Sequence, residues 1–67
     1  MWRQTNDGQV VNMDIVERLS VEELGSGRHP DDKYAVTVHL PSGKSAELSA
    51  HRTAEEAMGA LRELIGQ

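Results

Sequence analysis

The sequence predicts an α+β fold: an antiparallel β-meander of three main strands, preceded by a short N-terminal hairpin, with one C-terminal α-helix packed on one face. Three observations carry that expectation. Two runs of alternating apolar and polar residues, 33–40 and 44–50, flank the turn-forming triplet Pro41-Ser42-Gly43. Thr53-Ala54-Glu55-Glu56 has the form of a helix capping box and opens a segment whose apolar residues return at helical spacing. Asn6-Asp7-Gly8 and the Gly-, Pro- and Asp-rich stretch 25–32 fall between the remaining apolar runs, where turns belong.

Taken in order, Trp2–Thr5 is a short strand, and Asp7-Gly8 favours the positive φ angles of a hairpin turn. Residues 9–11 return along it. Asn12-Met13-Asp14 reads as a bend or single helical turn, because Asn12 and Asp14 can fold their side chains onto nearby backbone N–H groups. The next strand spans about 17–24, with Leu19 and Val21 inward and Arg18, Ser20 and Glu22 outward; Ile15 or Val16 tucks under the sheet at its entry. Residues 25–32 form an exposed, mobile connection.

In the central hairpin, Tyr34, Val36, Val38 and Leu40 share one face, and Ala46, Leu48 and Ala50 share one face of the return strand. Pro41 presets φ for the first central position of a turn, and Gly43 can take the left-handed conformation that closes a loop with a bulge. Closure there sets Leu40 opposite Lys44, Val38 opposite Ala46, Val36 opposite Leu48 and Tyr34 opposite Ala50. A one-residue slip would bury Glu47, so pattern and turn agree.

After His51 and Arg52, the helix begins at Thr53. Its residues Ala54, Ala57, Met58, Ala60, Leu61, Leu64 and Ile65 fall within an arc of about 160°. Leu61, Leu64 and Met58 are expected to fill the space over the sheet, and Gly66 to end the helix. Gly59, on the polar side, has no evident reason to be glycine.

Composition narrows the functional classes. Residues 1–67 make a single small domain, and chains of this size bury only roughly 60% of their unfolded surface. The apolar share is 37% and phenylalanine is absent, so the core is thin. Without cysteine there is no disulfide, no thiolate nucleophile and no cysteine metal site. No apolar run approaches a membrane span, and Met1-Trp2-Arg3-Gln4 lacks the form of a signal peptide, which makes the cytoplasm the expected location. The net charge of −4 and the scattering of the seven basic residues oppose broad binding to nucleic acid or anionic membranes.

No constellation for catalysis emerges. His29, His39 and His51 are dispersed by the register, and Glu55 and Glu56 are explained by helix capping. His29 beside Asp31 and Asp32 admits a metal reading, yet a flexible loop fixes no ligand geometry. Gly25-Ser26-Gly27 lacks the spacing of a nucleophile elbow. No phosphate loop, dinucleotide fingerprint or zinc spacing occurs. The expectation is therefore no enzyme, no cofactor and no metal.

The pattern Gly8-x-x-Val11-Asn12, Tyr34-x-Val36-x-Val38-x-Leu40-x-x-Gly43, Leu48 and Thr53-x-Glu55-Glu56-Ala57-x-x-x-Leu61 resembles a class of short uncharacterised bacterial proteins. That resemblance implies a meander followed by one helix, and its matching positions are turns, core and cap, so it transfers no activity. By element order alone the chain is also similar to PC4-like and whirly single-strand DNA binders, which use basic strands with aromatic platforms. Here the outward strand residues include Glu22, Thr37, Glu47 and Ser49.

Two readings follow. The first is a non-catalytic protein-interaction or self-association module, most simply a two-fold dimer, because Trp2, Val10, Val11 and Leu24 lack partners in so small a core. In that reading Trp2 is expected to be buried, either by a second copy or by its own hairpin folding over the core. The second is single-stranded nucleic-acid binding through the helix-free sheet face, with Arg18, His39 and Trp2 contributing.

Overall fold

The computed structural model describes residues 1–25, 27 and 29–66. Among these the chain forms β1 (Trp2–Gln4), β2 (Val10–Asn12), a 3-10 turn (Met13–Ile15), β3 (Arg18–Glu23), β4 (Tyr34–His39), β5 (Ser45–His51) and α1 (Ala54–Ile65). β1 and β2 make a two-stranded antiparallel sheet, and the other three make an antiparallel meander with β4 at its centre. α1 packs on the meander, most closely along β4. This is the α+β arrangement that the patterning predicts.

Both hairpins close by the same device. In the first, Thr5 N–H donates to Gln9 O at 2.6 Å and Gly8 N–H to Thr5 O at 3.1 Å. In the second, Leu40 N–H donates to Lys44 O at 2.8 Å and Gly43 N–H to Leu40 O at 3.0 Å. Gly8 and Gly43 take φ of 91° and 84°, while no described non-glycine residue has positive φ. The left-handed residue at the end of each loop is what lets the strands re-enter pairing, and glycine adopts it without a steric penalty. Of Asp7-Gly8, only the glycine takes the positive φ expected of the pair.

The central hairpin departs from its expected register halfway along. Val38 pairs with Ala46 as expected, and Thr37 with Glu47, but a bulge follows, and Val36 pairs with Ser49, Ala35 with Ala50 and Tyr34 with His51. Leu48 is the extra residue. Past it the parity of β5 inverts, so Ser49 and His51 join the helix side and Ala50 the opposite side. The expected pairs Val36 with Leu48 and Tyr34 with Ala50 are therefore not formed. The bulge lies where the N-terminal hairpin attaches: Asn6 N–H donates to Glu47 O at 2.8 Å, and Asn6 Nδ2 to Glu47 Oε2 at 2.8 Å.

The core is as thin as the composition implies. Val11, Ala35, Val36, Val38 and Ala57 are its buried apolar residues, and Val36 and Val38 are the largest side chains fully removed from solvent. Thr53 caps α1 by accepting from Glu56 N–H at 3.2 Å. Ala57 is the residue of α1 that is wholly buried, with Leu61 and Leu64 half-buried. Met58 and Ile65 stay exposed, against expectation, because the apolar arc is wider than the strip of helix that meets three short strands. Asn12 folds onto Asp14 N–H at 3.1 Å as expected, whereas the Asp14 carboxylate takes the Met1 amino group at 3.0 Å instead of a backbone donor.

Two glycines should respond oppositely to alanine. A Cβ at Gly59 would meet nothing within 4 Å, so Gly59→Ala should stabilise the protein by about 1 kcal/mol through helix propensity. Gly43→Ala forces a side chain into the left-handed region and should cost about 1–2 kcal/mol. Urea denaturation of the two variants checks both signs.

The first loop also carries a titration. Thr5 is buried, and its hydroxyl bonds the Asp7 carboxylate while accepting from Gln9 N–H at 2.9 Å. That hydroxyl, opposed by desolvation and aided by the backbone N–H groups of Gln9 and Asp7, holds the Asp7 carboxyl below its ordinary value. A lowered folded-state value stabilises the fold fully above the ordinary aspartate range, and the contribution disappears as pH falls through the lowered value. NMR titration should show Thr5→Val returning Asp7 toward the ordinary value, with the loop resonances of the wild type persisting to lower pH than those of the variant.

Candidate functional site

The pairing of β3 with β4 sets Arg18 opposite His39, Ser20 opposite Thr37 and Glu22 opposite Ala35, all on the face away from α1. Leu19 and Val21 turn to the helix side, opposite Val38 and Val36. The outer face thus carries Arg18, Ser20 and Glu22 of β3 beside Ala35, Thr37 and His39 of β4, with Ser45, Glu47 and Ala50 of β5 beyond.

On that face four side chains form a hydrogen-bonded chain. The Ser20 hydroxyl donates to Glu22 Oε1 at 2.9 Å, and its oxygen lies 2.8 Å from His39 Nε2. A serine has one proton, so with that proton on the carboxylate the hydroxyl oxygen accepts from His39 Nε2–H. His39 Nδ1 is then left to accept from Arg18 Nη2, at 3.4 Å. His39 is largely shielded and Glu22 half exposed. Alternation within each strand implies that these residues share one face but does not connect Ser20 and Glu22 to His39. The β3–β4 register was the missing piece.

Serine, histidine and glutamate in contact raise the question of a nucleophile. In a catalytic triad the carboxylate orients the histidine through the ring nitrogen remote from the serine. Here the carboxylate is on the serine and Arg18 occupies the remote nitrogen. The site lies on the sheet face away from α1. The carboxylate and the arginine thus stand in places exchanged from those a triad requires.

The other sequence-derived residues are dispersed. Trp2 and Val10 are 66% and 63% exposed on the same face of the N-terminal hairpin. The hairpin does not hide Trp2 within its own chain, which removes one of the two expected modes of burial. Val11, on the opposite face with Arg3, is buried, and so has its partners within the chain and is not surface at all. Leu24 is half-buried and lines a recess of about 280 Å³ with Tyr34, Pro30 and His29. A second recess, of about 550 Å³, is lined by Met1, Met13, Val16, Leu19, Leu64 and Ile65. The hairpin therefore reaches from β5, which its tip holds through Asn6, to the start of β3.

His29 and His51 do not converge on His39. His51 Nε2 lies 2.8 Å from Ser49 Oγ on the helix side. His29 Nδ1 accepts from Asp31 N–H at 3.2 Å, and Asp31 is held in turn by Arg52 through contacts of 2.8 and 3.0 Å. Within the connection expected to be exposed and mobile, Asp31 is exposed and bonded to Arg52, just past the end of β5. Ser26, of the Gly25-Ser26-Gly27 triplet, lies outside the described residues. Among the described residues no group of three or more histidine or acidic side chains could hold a metal ion, and no helix is long and apolar enough to cross a membrane.

The structure has antiparallel sheets followed by one C-terminal helix, the element order that the resemblance implies. No protein-family model, curated protein or solved structure matches it.

Proposed function

We propose that the chain is a small cytoplasmic, non-catalytic protein-interaction module. The observation that carries this is the pair Trp2 and Val10, exposed together on the outward face of a hairpin whose tip is pinned to β5. Trp2 stands opposite Asn12 and Val10 opposite Gln4, so the two apolar side chains are diagonal neighbours within reach of each other. A lone tryptophan on a rigid edge supplies large contact area at small entropic cost, the usual character of a binding hot spot. The polar chain on the sheet face supports the same reading, since it orders side chains without making a nucleophile.

Single-stranded nucleic acid fits less well. The helix-free face carries Arg18 and His39 against Glu22 and Glu47, and Tyr34 lies on the helix side, leaving that face without a stacking platform.

The test is affinity capture with the wild type and with Trp2→Ala as baits. Proteins retained by the wild type should be lost with Trp2→Ala, while circular dichroism of the two baits is the same. Equal retention by both baits would remove the Trp2 surface from the reading. Oligonucleotide binding that weakens steeply with salt would favour the nucleic-acid alternative instead.

A further inference from the structure

The two edges of the meander are treated differently. β5 is interrupted by its bulge and met by Asn6 of the hairpin, devices that keep an edge from pairing with another chain. β3, the other edge strand, is regular from Arg18 to Glu23 and pairs on one side only. Leu24 N–H donates to Lys33 O across to β4, so by the alternation of an antiparallel ladder the backbone groups of residues 18, 20 and 22 face β4. Those of Leu19, Val21 and Glu23 face outward.

We infer that β3 is a self-pairing edge, at which a second copy of this chain adds antiparallel to form a continuous six-stranded sheet about a two-fold axis at Ser20. This rests on reading the chain as an interaction module and names its partner as itself. A two-fold axis normal to a sheet sets some residue opposite its own copy, and only a few centres are available in β3. Centred on Ser20, Arg18 of each copy meets Glu22 of the other on the outer face, twice over. Leu19 meets Val21 on the helix side, again twice. The outward groups of Leu19 and Val21 then form paired N–H to O=C bonds on both sides of the axis.

The neighbouring centres fail on charge or polarity. Centred on Leu19, the edge sets Glu17 against Val21 and leaves Arg18 facing Ser20. Centred on Val21, it sets Leu19 against Glu23 and Ser20 against Glu22. Centred on Glu22, it opposes two carboxylates directly, which destabilises a cross-strand pair. The Ser20 register also has a natural end, since the following pair would oppose Glu17 and Glu23, and Glu17 lies outside β3.

The side chains that would pair are already ordered: Glu22 is bonded by Ser20, and Arg18 reaches His39. Ile65, 65% exposed, borders the same edge on the helix side, lining one recess with Leu19 and Leu64.

The experiment is a charge swap followed by sedimentation velocity over a wide concentration range. The wild type should show a reversible monomer–dimer equilibrium. Arg18→Glu and Glu22→Arg, each with the circular dichroism of the wild type, should raise the dissociation constant roughly tenfold or more, because each replaces two attractive cross-strand pairs with two repulsive ones. The double variant should dimerise like the wild type. An equimolar mixture of the two single variants should form a heterodimer, since every outer-face pair is again of opposite charge. That rescue separates lost pairing from lost folding. A wild type that stays monomeric throughout, single variants that dimerise normally, or a mixture that stays monomeric would each overturn the inference. Trp2-dependent capture of another protein that survives those outcomes would leave the interaction-module reading standing without it.

Discussion

The fold depends on how little it can bury. Val36 and Val38, on the central strand, are its largest fully buried side chains, and Ala57 is the wholly buried residue of the helix above. Fully burying a valine contributes about 1.5–3 kcal/mol, so the two together supply only a small part of what ordering the chain costs. The alanine at the contact is what keeps the helix close enough for those valines to be sealed at all. With no phenylalanine or cysteine to thicken or staple the core, specificity must come from local devices: two matched glycine loops, a threonine cap and a bulge.

The bulge links that economy to the surface. By absorbing Leu48, β5 changes parity within one strand, so residues on either side of it serve different layers. Val36 gains Ser49 rather than Leu48 as its neighbour, and the helix side becomes more polar toward Tyr34 and His51. In exchange, the strand presents Glu47 to Asn6, and the N-terminal hairpin gains a fixed attachment. Val11 is then buried while Trp2 and Val10, of opposite parity, face water. The exposure of Trp2 is a consequence of how the hairpin is held, and does not reflect a loose end of chain.

Much of the architecture was legible because local rules and hydrophobic pattern agreed. Pro41-Ser42-Gly43 and the alternation beside it implied the turn and the first half of the hairpin, and Thr53 with Glu56 located the helix start. The bulge was not legible. An unbulged strand sets Leu48 against Val36, and no residue in β5 advertises the extra position, since the signal lies in Asn6, far away in sequence. The partner of His39 was hidden for a related reason. The sequence of residues 25–32 names no turn of definite type, so β3 could be given its faces but not its register against β4. Faces follow from a period of two within one strand, whereas register requires the connection between strands. The same gap hides the difference between Val11 and its neighbours Trp2 and Val10: its burial depends on where the hairpin lies, which short-range pattern does not encode.

The chain of hydrogen bonds from Arg18 through His39 and Ser20 to Glu22 gains its meaning from these constraints. An exposed arginine and glutamate two positions either side of a serine would ordinarily sample many rotamers, and pairing them with anything would first have to overcome that freedom. His39 restrains the guanidinium from the neighbouring strand, and Ser20 restrains the carboxylate from its own. For the proposed association, that entropy is lost during folding, on a strand already fixed by β4. A serine–histidine–carboxylate triad would need the reverse arrangement, with the carboxylate behind the histidine and the serine free to react. Ordered opposite charges flanking an uncharged centre, on an edge strand of the meander that is regular from Arg18 to Glu23, support the proposed recognition along that edge. The small core makes such recognition energetically significant, because any surface covered there adds to a total that the monomer itself keeps low.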